Sequence, residues 1–315
     1  MVLPVVGLGL AGCAELGVIS DGTSISVGKA SHGYLIDAAR LPDHGEGFTT
    51  REVWVRRGNR FGTDELVDLV TGVARRMSTH VHDVKLVVGD LSGRGGGGAF
   101  DFHRSHQSGR DADLVYYMRG ADGKPFEPDA MHVFDARGRA RDAAGLTIDV
   151  PRTWLLVKEL ASAPEATVQY VFMYEPIAQL LLEHARKIGE PDEVIAHVRR
   201  TLKQPGDSAR HDDHMHVRVY CSDADREYGC LDYGPMELLA ERHAQTDTTL
   251  AVITSAMSRP ADDLASASGD RSVGEPANRS TLTSTSAAPS DAPTETSLRS
   301  LLRTRADRID LRGWR

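Results

Sequence analysis

The chain has 315 residues, 40% of them hydrophobic and only 6% aromatic, with a net charge of −8. That length holds either two domains of about 150 residues or one domain and an unstructured segment. The acidic balance leaves no footprint for a polyanion, which argues against a dedicated nucleic-acid binder. No run of about 20 apolar residues is present to cross a bilayer as a helix. Three Cys and thirteen His remain to be explained.

The first residues, Met1 to Cys13, are apolar throughout and end in Leu10-Ala-Gly-Cys13. The run has the length of a signal-peptide apolar region, and its last four residues resemble a bacterial lipobox, in which the Cys is lipidated after cleavage before it. On this reading residues 1–19 are a signal segment, Cys13 is the lipid anchor, and the missing basic segment lies upstream of Met1. The alternative is a buried N-terminal strand carrying an ordinary Cys.

Thr63 is placed to cap a helix running to about Met77, with Leu66, Val67, Val70 and Val73 on one stripe. Val84-Lys-Leu-Val-Val-Gly89 reads as a strand leading into the glycine-rich stretch Gly93–Gly98. That stretch lacks the Gly-Lys-Ser/Thr ending of a nucleotide-binding loop, so it reads as a flexible entry to the segment after it. Asp111–Met118 alternates as a strand. Pro151 opens a helix to about Leu160, Thr167–Tyr174 is a β-branched and aromatic strand, and helices follow at Pro176–Lys187 and Asp192–Leu202. His214–Tyr220 alternates again. The order shows no regular βαβ repeat, which predicts an α+β fold: a small antiparallel sheet flanked by helices. Beyond Thr246 the chain turns to Ser, Thr, Ala, Pro and Asp, and no aromatic occurs between Tyr233 and Trp314. Such a composition cannot bury enough apolar surface to offset its ordering entropy. The expected organisation is one folded domain over 20–245 and a disordered low-complexity tail over 246–315.

Five of the thirteen His fall in two short segments, His103-Arg-Ser-His106-Gln-Ser-Gly-Arg-Asp111-Ala-Asp113 and His211-Asp-Asp-His214-Met-His216. Period-two geometry puts Asp111 and Asp113 on one strand face and His214, His216 and Arg218 on another, each backed by apolar neighbours. Two neutral imidazoles and one carboxylate form a common catalytic zinc set with a fourth position for water. His106, Asp113 and His216 supply that set if the two strands pair. The competing reading is hydrogen-bonded polar residues on a solvated sheet face. No His-Glu-x-x-His, Gly-x-Ser-x-Gly or Cys-x-x-Cys occurs, which removes the helix-borne zinc protease, the usual serine hydrolase and the zinc finger.

Ser105-His-Gln-Ser-Gly-Arg-Asp-Ala-Asp113 together with His211-Asp-Asp-His-Met-His-Val-Arg218 resembles the penicillin-insensitive murein endopeptidases. These are zinc peptidases grouped with lysostaphin-type enzymes, D-alanyl-D-alanine carboxypeptidases and hedgehog domains. The likeness runs from about residue 22 to 230, and Asp21-Gly-Thr-Ser-Ile-Ser and Arg57-Gly-Asn-Arg-Phe-Gly62 also look like parts of it. It implies that His106, Asp113 and His216 hold one zinc ion and that His214 acts beside the metal as base or transition-state stabiliser. His103 and His211 match further active-site histidines, and Asp111 a residue that orients a ligand imidazole. Nothing in Asp135–Asp149 matches a second metal site. The implied reaction is hydrolysis of the D-alanyl–meso-diaminopimelyl cross-link of peptidoglycan in the periplasm, by an outer-membrane lipoprotein if Cys13 is the anchor. A D,D-carboxypeptidase shares the metal core, and a binding module that has lost catalysis is the reading outside the enzymes. With Cys13 set apart, Cys221 and Cys230 are available for a disulfide in an oxidising compartment, or remain two free thiols.

Overall fold

The computed structural model describes residues 21–97, 103–206 and 209–257. Cys13 with the proposed signal segment, Gly98 of the glycine-rich stretch, and the chain beyond Met257 lie outside the described residues.

The helices begin where capping chemistry places them. Thr63 accepts a hydrogen bond from the Leu66 amide at 3.3 Å and starts helix α1 (Asp64–Ser78), whose Leu66, Val67, Leu69, Val70, Val73, Ala74 and Met77 are buried. Acidic residues in its first turn and Arg75 and Arg76 in its last complement the helix dipole. Asp149 caps helix α2 (Val150–Ala161) through the Arg152 amide, with Pro151 in the first turn, where its missing N–H costs nothing. Helices α3 (Glu175–Lys187) and α4 (Asp192–Thr201) follow, and α2 packs against α1, α3 and α4. The buried faces of these helices form one core with the back of a sheet.

That sheet has four strands. In spatial order they are β3 (Leu202–Lys203), β2 (Val168–Phe172), β4 (Met215–Val219) and β1 (Asp111–Leu114), numbered along the chain. The β2–β4 and β4–β1 pairs are antiparallel and the β2–β3 pair is parallel. Leu202 therefore leaves the expected helix and, with Lys203, joins the sheet edge, so the sheet is mixed rather than wholly antiparallel. The registers place Leu202, Val171, Val217 and Ala112 in one row across the sheet, buried against the helices. The next row, Lys203, Phe172, His216 and Asp113, lies on the opposite face, because side chains alternate along each strand.

Three boundaries depart from the sequence reading. The strand expected over 111–118 leaves the ladder after Leu114; Met118–Arg119 instead pairs with two separate short segments. Of the strand expected over 84–89, only Leu86–Val87 forms a ladder, in parallel with Phe48–Thr49, while Val88 makes a single antiparallel bridge to Leu114. The order expected to end at 245 continues as a helix over Glu237–Met257, with Leu238 and Leu239 buried at its start. No described helix is long and apolar enough to cross a membrane.

The glycine-rich stretch is tied down in its described part. The Gly95 carbonyl accepts from the Leu35 amide at 2.9 Å, and the Gly97 amide donates to the Gln107 carbonyl at 2.8 Å. Gly96 has φ +62°, and a Cβ there would stand 2.2 Å from the Gln107 carbonyl oxygen, so the close approach needs glycine. The stretch thus braces the loop that carries His106.

After β4 the chain closes a disulfide, Cys221–Cys230. The segment it ties off docks onto the N-terminal strand, where the Gly28 amide donates to the Gly229 carbonyl at 3.0 Å and the Leu231 amide to the Gly28 carbonyl at 2.9 Å.

Candidate metal centre

Strand pairing brings the two histidine segments together. His216 on β4 faces Asp113 on β1 in register, and the loop before β1 folds back to set His106 beside both. His106 Nε2, His216 Nδ1 and Asp113 Oδ1 form a triangle with every side 3.3 Å. A tetrahedral ion with bonds of about 2.0–2.1 Å needs ligand–ligand edges of about 3.3–3.4 Å, so the three donors fit one face of a zinc coordination sphere. Asp113 Oδ1 is buried and accepts no hydrogen bond of good geometry. An orphaned anionic oxygen is costly to bury unless something else satisfies it.

The tautomers support the same assignment. His106 Nδ1 lies 3.0 Å from the Leu91 carbonyl oxygen, and His216 Nε2 lies 3.2 Å from Asp111 Oδ1. Both partners only accept, so each far nitrogen carries the proton and each near nitrogen offers a lone pair to the triangle. Asp111 serves both histidines. Its Oδ2 accepts from the His106 amide at 2.9 Å, and Arg218 grips it through Nε at 2.7 Å and Nη2 at 3.1 Å. Burial opposes ionisation of Asp111, but Arg218 and His216 hold its carboxyl well below the usual range. For the Asp111→Asn variant, metal titration should show affinity lower by about 10–100-fold in a protein whose circular dichroism is unchanged. Unaltered affinity would remove Asp111 from the support of the site.

His214 stands just before β4 with Nδ1 2.8 Å from Asp213 Oδ1 and Nε2 3.3 Å from Asp113 Oδ1. Asp213 fixes the proton on Nδ1 and aims Nε2 at the donor triangle. Burial disfavours the charged ring, yet Asp113 and Asp213 outweigh it and push the pKa up to about 10. A cation held at Asp113 would weaken that support and return His214 toward its neutral, proton-accepting form. His211 behaves oppositely: burial, followed by the charges of His216 and His214, pushes it down to about 3, so it stays neutral. Its Nδ1 lies 2.8 Å from the Ala209 carbonyl.

His103 differs from the other four. Its Nε2 lies 3.2 Å from Asp90 Oδ2 and 3.7 Å from Asp113 Oδ2, so it faces two carboxylates and braces them. Asp90 and Asp213 are site residues that sequence reasoning missed. Asp90 is fully buried at the end of the apolar run Val84–Gly89, and that placement was the available signal. The Arg57-Gly-Asn-Arg60 segment holds it, with Arg57 Nη1 at 2.6 Å from Oδ2 and Asn59 Nδ2 at 3.4 Å from Oδ1.

Backbone strain concentrates here. His106 has φ +67° and His211 has φ +57°, two of only three non-glycine residues with positive φ among the described residues. Each is clamped: His106 through its amide on Asp111, and His211 through its carbonyl, which accepts from Tyr116 Oη at 3.0 Å and the Tyr174 amide at 3.1 Å. Strain of this kind, at about 1–3 kcal/mol per residue, persists where the surroundings over-determine the conformation, and functional sites are where it gathers.

All the histidines and aspartates expected at the site therefore lie in or against one cluster. Within it, His103–His106–Asp113 and His211–His214–His216 each gather their donor atoms within 4.8 Å of one another. Two imidazoles and a carboxylate converging on one point, with a third imidazole aimed at it, form a donor set that could hold a metal ion in a hydrolase.

Comparison with known proteins narrows that class. The sequence profile of the penicillin-insensitive murein endopeptidases matches residues 26–259. The chain is 25% identical over 217 residues to the penicillin-insensitive murein endopeptidase of Haemophilus influenzae, covering 69% of this chain and 70% of that one. To the Klebsiella pneumoniae protein of the same name it is 27% identical over 225 residues, covering 68% and 72%. The chain belongs to the penicillin-insensitive murein endopeptidase family, and it is a peptidase.

Proposed function

We propose that this peptidase is a zinc-dependent peptidoglycan endopeptidase that hydrolyses the D-alanyl–meso-diaminopimelyl cross-link. The observation that carries the reading is the 3.3 Å triangle of His106, Asp113 and His216 with His214 Nε2 directed at its carboxylate corner. His106, Asp113 and His216 would hold the zinc ion, which would supply Lewis acidity for activating a water molecule and polarising the scissile carbonyl. His214 Nε2 is placed to accept a proton from the attacking water, with Asp213 keeping Nδ1–H in place. The same ring then delivers the proton to the leaving amine. The Leu91 carbonyl and Asp111 keep the two ligand imidazoles, His106 and His216, in the tautomer that presents a lone pair. Asp90 holds His103 at 3.2 Å with its ring 3.7 Å from the second oxygen of Asp113, and His211, held neutral, adds no competing charge. A site serving only structure has no use for an imidazole aimed in this way, which favours the enzyme over a binding module.

The Cys221–Cys230 disulfide supports an oxidising compartment, and the substrate supports the periplasm. We extend the proposal to a lipid anchor at Cys13, on the lipobox-like sequence alone.

The test is digestion of purified cross-linked peptidoglycan with and without a chelator, the products resolved by mass spectrometry. The expected result is conversion of muropeptide dimers to monomers, abolished by the chelator and restored by zinc. Loss of single terminal alanines, without dimer cleavage, would replace this reading with a carboxypeptidase. Full activity after exhaustive chelation would remove the metal.

A further inference from the structure

The sheet face that carries the donors continues past them. The row Asp113–His216–Phe172–Lys203 crosses all four strands in register, so the last two side chains share the face of the first two. At about 4.8 Å per strand, the Lys203 backbone lies roughly 10 Å from that of His216. The side chains are continuous over that span. The Phe172 ring meets His216 edge-on with centroids 5.4 Å apart, Tyr170 lies 4.9 Å from Phe172, and Lys203 Nζ sits 4.6 Å above the Tyr170 ring. Tyr170 is itself fixed. A Cβ at Gly234 would come within 2.1 Å of its Oη, and the neighbouring Gln169 amide donates to the Tyr233 carbonyl at 2.9 Å.

Lys203 is exposed, and no acidic side chain pairs with it among the described residues. The neighbouring Arg199 is different, because Glu175 pairs with it at 3.1 Å. Burying a tyrosine beneath an ammonium group fixes where the cation stands without consuming its charge, since the ring offers a quadrupole and no anion. A seated cation, joined to the donor triangle by two aromatic rings, suits a ligand that brings an anion and an aliphatic backbone to the same face.

We infer that Lys203 is a specificity-determining residue that binds a carboxylate of the cross-linked stem peptide, with Phe172 and Tyr170 forming the floor between that carboxylate and the scissile bond. The inference rests on the proposed function. With about 3.3–3.6 Å of chain per residue, and allowing for the reach of the lysine, the carboxylate lies within about two or three residues of the cleaved bond. A substrate whose carboxylates are amidated loses this contact.

The test compares wild type, Lys203→Ala and Lys203→Arg on a purified cross-linked muropeptide dimer and on the same dimer amidated at its carboxylates. On the unmodified dimer, Lys203→Ala should raise KM about 10-fold with kcat within about two-fold, as expected for one lost charge-assisted hydrogen bond, and Lys203→Arg should restore most of the affinity. On the amidated dimer, wild type and Lys203→Ala should have equal KM. An unchanged KM for Lys203→Ala on the unmodified dimer would overturn the inference. So would an equal rise on both dimers, which would mean that the side chain only packs on Tyr170. Failure of the wild type to cleave either dimer would instead overturn the underlying reading of the function.

Discussion

Replacing Asp113 or His216 with Ala should abolish metal binding and turnover together in the same protein. Asp113 is the common corner of the site: its Oδ1 lies 3.3 Å from nitrogens of His106, His214 and His216, and its Oδ2 faces His103. Removing it takes away the negative charge that offsets bringing an ion out of water, and leaves the imidazoles around an empty corner. Removing His216 takes one donor from the triangle and leaves Asp111 paired only with Arg218 and the His106 amide. The measurement is metal content by mass spectrometry beside activity on cross-linked peptidoglycan, with circular dichroism to show that the sheet still forms. A variant that folds and retains a full equivalent of zinc would remove its residue from the ligand set.

His214→Ala should separate the two properties. The substitution leaves the triangle of His106, Asp113 and His216 intact, so zinc stoichiometry should be normal, while turnover should fall by about 10²–10⁴-fold, the usual contribution of a positioned general acid–base group. The loss should appear in kcat and kcat/KM alike, because the proton transfer is realised only in the transition state. Asp213→Asn should move in the same direction by a smaller factor, since its carboxylate orients His214 at 2.8 Å without touching the donors. Near-normal kcat in His214→Ala would leave the acid–base role to another group.

The elements legible in the sequence were those in which local chemistry and burial agree. Thr63 capping a striped helix, Pro151 in a first turn and the alternation through His214–Tyr220 each specify one conformation, and the structure adopts it. The two helices after the central strand were also readable, with Glu175–Lys187 and Asp192–Thr201 lying within a residue of their expected bounds. Boundaries decided by distant partners were not readable. Lys203 joins the sheet because Phe172 offers it a parallel edge, and Leu114 ends its strand where pairing with Met215 runs out. The donor residues were visible because their spacing on two strands is itself geometric. Asp90 and Asp213 were not, because an isolated aspartate acquires its meaning only from the imidazole that folding sets beside it, here His103 and His214. The helix Glu237–Met257 was missed for a related reason: its later half has the composition of a tail, and among the side chains whose burial is described only Leu238 and Leu239 at its start are buried.

His106 and His216 are 110 positions apart in the chain, and they meet only through the pairing of β1 with β4. A slip of one residue in that register would turn His216 to the helix-packed face and put Val217 or Met215 in its place, so no half-registered sheet contains the donor set. An unfolded chain therefore carries every reactive side chain and none of the reactivity. For an enzyme that cuts cross-linked peptidoglycan, competence therefore requires both strands to be present and paired in this one register.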